Sequence, residues 1–275
     1  MSGFSEMRRF GWDLVRRTRD HQIIDMAAKM AYYSFLSLFP LILIFFALAG
    51  MVGGESAFDW TMGQLQSIMP REAAEYVGGF VYEVTGVERP EVLSLSIAFL
   101  IFSASGVLIA LIDSLNVIFE IEESRPLWRK YFVGMVSVLL GAVFFVIGLP
   151  TILIGQDYLD TLGFGWIWGR LHWPLVFSLL TGILWLAYVR LPNHRRAPSP
   201  LVLLVGALVG TGLWAVVTEG LQLYLANFER FANLYGVVTG IIVTLMWLHM
   251  TAFSLLFGAQ VAQALAARIK RTQAR

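Results

Sequence analysis

The sequence predicts an all-α, polytopic membrane bundle of six transmembrane helices with both termini on the cytoplasmic side. Three observations carry that prediction. Hydrophobic residues make up 57% of the chain, charged residues only 14%, and the mean hydropathy is +0.70, whereas a soluble domain carries about 25% charge. Uncharged apolar runs recur near the ~20 residues that a helix needs to cross the hydrocarbon layer. Of 20 lysines and arginines, 16 fall in the two termini and in segments 113–130 and 190–200, and four in the segments between. Positive charge gathers on cytoplasmic loops, so the alternation supports six spans and orients them.

Residues 1–29 alternate Arg8, Arg9, Arg16, Arg17 and Arg19 with Phe4, Met7, Phe10, Trp12, Leu14 and Val15. This pattern suits an amphipathic helix lying at the headgroup surface. The first span, 30–52, opens with a polar edge and holds Pro40, which removes a backbone hydrogen bond and predicts a kink. Segment 53–91 is acidic, and apolar residues at helical spacing predict two short helices split at Pro70 in a periplasmic loop. The second span is 92–112. The third, 131–155, carries Gly134, Gly141 and Gly148 on one face, where another helix can approach closely. A Gly- and Trp-rich turn is expected over 163–169. The fourth span, 172–189, closes at Arg190, and the prolines of LPNHRRAPSP predict a non-helical link. The fifth, 201–222, has Gly206 and Gly210 at GxxxG spacing. The sixth, 236–257, repeats that spacing at Gly236 and Gly240 and continues as a helix toward the basic tail. All 275 residues form one integral membrane domain.

Several chemistries lack their residues. Zero cysteines remove disulfides, thiolate metal sites and cysteine nucleophiles. The four histidines, at 21, 172, 194 and 249, show no metal-ligand spacing, and there is no phosphate-binding glycine loop or GxSxG elbow. No cofactor or metal site and no catalytic set is predicted. A net charge of +1 gives no reason to invoke nucleic acid. Membrane lipids are the expected partners, and the sequence leaves homo-oligomerisation open.

Polar groups at membrane depth are costly, which makes them the candidate site. Asp25 and Lys29 are four residues apart at the cytoplasmic end of span one, with Tyr32, Tyr33, Ser34 and Ser37 just above. Asp113 and Asn116 end span two at the same depth, below Ser103 and Ser105. These groups form either a polar clamp or an inner vestibule, in which Lys29 is expected to pair with Asp113. Glu219 and Gln222 lie in the outer part of span five and His249 near the centre of span six. Rise per residue places Glu219 and His249 roughly 15 Å apart in depth, too far to pair.

Four stretches in order, AAKMAYYSFLSLFPLILI, LIDSLNVIFEIEESRPLWRK, RLPN and LYGVVTGIIVTLMWLHMTAFSLLFGAQVAQA, resemble the YihY/BrkB family over about 240 residues. The resemblance implies a bacterial inner-membrane protein of a family often labelled "ribonuclease BN" or "virulence factor BrkB", with transport as the usual suspicion. Where that family commonly has glutamate in GAE, this chain has Gln260. The residues support no nuclease, since phosphodiester hydrolysis needs convergent carboxylates and histidines. They favour a non-enzymatic transporter or flippase-like protein for an amphipathic solute, with a membrane scaffold as the alternative.

Overall fold

A computed structural model of the chain describes residues 2–38, 40–41, 90–126, 128–134, 165–193, 198–226 and 237–273. The described residues form seven helices and no strands. They are α1 (Ser2–Asp20), α2 (23–38, helical again at 40–41), α3 (Pro90–Ile118), α4 (128–134), α5 (Gly165–Arg190), α6 (Pro200–Ala226) and α7 (Val237–Gln273). Three carry stretches long and apolar enough to cross a membrane, namely Ile97–Ile118, Pro200–Tyr224 and Gly240–Gln273, and Pro174–Arg190 is a shorter apolar helix. Most of the first and third predicted spans, and all but the end of segment 53–91, lie outside the described residues.

The sequence boundaries need three adjustments. Residues 1–29 are two helices, because the chain turns at His21 and Gln22, with Gln22 at φ 52°. Its amide donates to Arg19 O at 3.0 Å and closes α1. The helix of span two starts at Pro90 and runs on to Ile118, which carries Asp113 and Asn116 inside it. The expected turn over 163–169 is helical from Gly165, and Pro174 sits within α5. Pro40 is helical and buried, while the chain beyond Leu41, where a kink would show, lies outside the described residues. As the sequence predicts, α7 continues far past bilayer length to Gln273.

Helices α6 and α7 form the principal pair, antiparallel and in backbone contact. A β-carbon on Gly206 would lie 2.5 Å from Gly258 O, and one on Gly258 would lie 2.5 Å from Gly206 O. Only glycine permits that approach, so the Gly206/Gly210 spacing read from the sequence does set a helix crossing. Gly258, its partner, stands in no such pair. Gly240 differs: among the described residues nothing lies within 4 Å of where its β-carbon would be, and its spacing partner Gly236 lies outside them. Tyr188 of α5 completes the knot. Its ring is fully buried and its hydroxyl donates to Leu255 O of α7, which satisfies the one polar atom of a large side chain in an apolar core.

The core continues through Leu203 and Ala207 of α6, Ala252, Leu256 and Ala259 of α7, and Ile112, Leu115 and Ile118 of α3, reaching Ile23 and Ala27 of α2. Helix α2 packs on α3 through Tyr33, whose ring fills the space beside Gly106: a β-carbon there would be 2.5 Å from Tyr33 Cδ1. On the other side of α3, Gly134 of α4 lies in ordinary contact, its β-carbon position 3.8 Å from Leu108 Cβ. Gly141 and Gly148 lie outside the described residues.

Candidate functional site at the basic end of the bundle

The ends of α1, α3 and α7 and the start of α6 meet at one end of the bundle, where three polar assemblies form. The first is a latch between two loops. Helix α3 stops because Glu120 adopts φ 56°. The amide of Glu120 then donates to Val117 O (3.1 Å) and that of Ile121 to Asn116 O (2.8 Å), a helix end that usually employs glycine. The reversal returns the loop over the last turn of α3. There buried Asn116 donates through Nδ2 to Glu123 Oε2 (2.7 Å), and its Oδ1 accepts from the amide of Asn193 (3.1 Å). Arg125 donates to Glu123 through Nε (2.9 Å) and Nη2 (2.8 Å), and through Nη2 to Leu191 O (3.0 Å). Asn193 Nδ2 donates to Ser124 Oγ at 2.8 Å. Hydrogen bonding from Arg125 is the first cause that holds the Glu123 carboxyl down at about 2, since each such bond favours the charged form. Two of the four stretches that carry the family resemblance are thereby joined, since Asn116 of LIDSLNVIFEIEESRPLWRK bonds the amide of Asn193 in RLPN.

The second assembly is an ion pair. Asp113 accepts from Lys130 Nζ of α4, and the Lys130 side chain is only 8% exposed. The expected Lys29–Asp113 pair is therefore not formed. Lys29 and Asp25 are exposed on α2, and neither makes an ion pair among the described residues. Asp113 takes its cation from α4 rather than from α2. Lys130 gave a weak signal in the sequence, one of three cations (Arg125, Arg129, Lys130) just ahead of a span.

The third assembly joins α1 to α7. In its Nδ1-protonated tautomer His21 donates to Gln260 Oε1 at 2.8 Å, and Gln260 is fully buried. Its Nε2 has no partner among the described residues. A neutral amide at this position avoids the desolvation cost of an ionised carboxylate. One turn away, Arg17 Nη1 donates to Glu120 Oε1 at 3.3 Å. Around that ion pair lies a half-open cavity of about 260 Å³, lined by Arg17, Phe119, Glu120, Pro198, Gln263, Ala266, Ala267 and Lys270. Its lining is mixed: Phe119, Pro198, Ala266 and Ala267 are apolar, and Gln263, two basic residues and one acidic residue are polar.

The remaining sequence-predicted residues have other surroundings. Tyr32 is 58% exposed and meets Tyr33 edge-to-face at 5.6 Å. Ser37 donates to Ser34 O and Ser103 to Phe99 O, each within its own helix. Glu219 and Gln222 are exposed on α6, and His249 is half-buried on α7. Their expected 15 Å separation in depth is overturned by the register of the two helices. Gly206 meets Gly258, Gly210 meets Ser254, and Trp247 Nε1 donates to Thr218 Oγ1 at 3.4 Å. Glu219 and His249 therefore lie about 5 Å apart in depth. They point differently, one to the surface and one half into the bundle, and do not pair.

Relatives extend over nearly the whole chain. It is 26% identical over 263 residues to the ribonuclease-like protein YfkH of Bacillus subtilis, covering 90% of this chain and 92% of that one. It is 26% identical over 266 residues to the UPF0761 membrane protein of Tolumonas auensis, covering 92% and 84%. It is likewise 26% identical over 258 residues to the UPF0761 membrane protein of Aeromonas salmonicida, covering 89% and 84%. No solved structure matches. The apolar helices and these relatives agree on a membrane protein. The family model described as Virulence factor BrkB matches residues 14–275, and on that span the chain belongs to this family.

Proposed function

We propose that the protein moves, or helps to move, an amphipathic or lipid-like solute across the bacterial inner membrane, as a non-enzymatic bundle of six spans with both termini in the cytoplasm. The observation that carries this reading is the cavity beside Arg17 and Glu120. The apolar stretches end at Ile118 in α3 and begin at Pro200 in α6, and Phe119, Glu120 and Pro198 lie just beyond those ends, which supports a position of the cavity near the membrane boundary. A lining that combines charged and apolar side chains suits a molecule with a polar head and an apolar body. It could enter from the bilayer without first leaving for water.

The ribonuclease-like name of the Bacillus relative asks for convergent carboxylates and histidines. Among the described residues, no three such side chains gather where they could hold a metal. Glu123 is committed to Arg125 and Asn116.

Purified protein in liposomes tests the reading. It should speed the transfer of a labelled phospholipid or lipid-linked sugar between leaflets, with no comparable gain in ion flux. Transfer no faster than in empty liposomes for every amphiphile would put the envelope-scaffold reading ahead.

A further inference from the structure

We infer that the cavity between α1, α3 and α7 is a binding site for the phosphate of a membrane phospholipid headgroup, with Arg17 and Lys270 as its cationic contacts. This rests on the reading of the same cavity as the entry point for an amphiphile, and adds the chemical class that enters.

The donor set matches a phosphodiester. Arg17 uses Nη1 on Glu120 in a contact of 3.3 Å, which leaves the other face of its guanidinium fork available. A planar fork suits two oxygens of one phosphate, and a lysine ammonium supplies a mobile third contact. Lys270 is exposed on the last turns of α7 and lines the same cavity. Among the described lining residues, two cations and one carboxylate leave a local charge of +1, which a phosphodiester monoanion neutralises. Glu120 holds Arg17 in place through the left-handed turn that ends α3. It also competes for Arg17, so removing its charge should strengthen phosphate binding.

The apolar part of the lining favours a lipid over a free ion. Phe119 is 2% exposed within the core, and with Pro198, Ala266 and Ala267 it makes an apolar side continuous with the bundle. Ala266 and Ala267 leave room that larger side chains would fill. Basic cavities at the boundary of membrane helices are the usual seats of acidic headgroups.

Full-length protein in uncharged detergent can be titrated with short-chain phosphatidylglycerol, with the matching diacylglycerol and with inorganic phosphate, and bound ligand read by native mass spectrometry. The wild type should bind phosphatidylglycerol and not diacylglycerol. Lys270→Gln and Arg17→Gln should each weaken that binding roughly fivefold, the worth of one basic side chain near a membrane surface. Glu120→Gln should strengthen it. Lys270 is exposed, so its substitution leaves the fold intact, and Ala266→Phe blocks the cavity by volume with no change of charge. Unaltered binding in Lys270→Gln and Ala266→Phe, or equal binding of diacylglycerol, overturns the site. Inorganic phosphate bound without phosphatidylglycerol overturns the lipid assignment. Binding without leaflet transfer would remove the transport reading and keep the site, and transfer without binding would do the reverse.

Discussion

Gly206 and Gly258 face each other across α6 and α7 so closely that a β-carbon on either would lie 2.5 Å from the carbonyl oxygen of the other. Backbone cannot yield as a side chain can. Gly206→Ala or Gly258→Ala should therefore destabilise the bundle by about 1–3 kcal/mol, the range for an overpacked core. Gly212→Ala is the control, because its added methyl meets nothing within 4 Å. Unfolding in mixed micelles reads the difference, and equal midpoints for Gly206→Ala and Gly212→Ala would count against the contact.

The Asp113–Lys130 pair predicts an asymmetry between two lysines. Lys130→Met removes a nearly buried charge and strands Asp113, which should cost about 1–3 kcal/mol because Asp113 keeps some contact with water. Lys29→Met, at an exposed site, should cost much less. Adding Asp113→Asn to Lys130→Met should recover part of the loss. A fully additive double variant would show that the pair contributes nothing.

The latch predicts an acid-labile component of stability. Glu123 has its folded-state pKa lowered from 4.5 to about 2. The stabilisation it brings is complete above pH ~4.5 and is lost as pH falls toward 2. Wild-type melting temperature should drop across that window. Glu123→Gln should start lower at neutral pH and lack this part of the decline. Parallel pH profiles for the two proteins would exclude Glu123 as the cause.

The sequence made some of this legible, for physical reasons that differ by residue. Apolar length alone identified α3, α6 and α7, and small-residue spacing found Gly206 and Gly210 because close packing in a membrane depends on residue size. The place of Asp113 and Asn116 along α3, at the end of its apolar run, was also readable. Direction around a helix was not. Asp113 had two cations within reach of its level, and only the placement of α4 selects Lys130 over Lys29. The spacing of Glu219 and His249 failed for a related reason, since it needed the α6–α7 register that Gly206 and Gly258 set together. Glu123, Arg125 and Asn193 looked like ordinary loop residues. Their roles depend on the turn at Glu120, where glycine, the usual signal, is absent.

Topology can be read directly in a chain with no native cysteine. Glu122→Cys, on the exposed side of the loop after α3, should be shielded from an impermeant thiol reagent in intact cells and react once they are opened. Ser56→Cys, in the acidic segment, should react in intact cells. The opposite pattern would invert the orientation and place the Arg17–Lys270 cavity on the outer face.

Whether the cavity carries transport is tested most directly by comparing leaflet transfer of phosphatidylglycerol in liposomes that hold equal amounts of folded wild-type protein or Ala266→Phe. Transfer in the variant should fall to the rate of protein-free liposomes, because its added ring occupies the space that the headgroup needs. Transfer at the wild-type rate would contradict passage through this cavity.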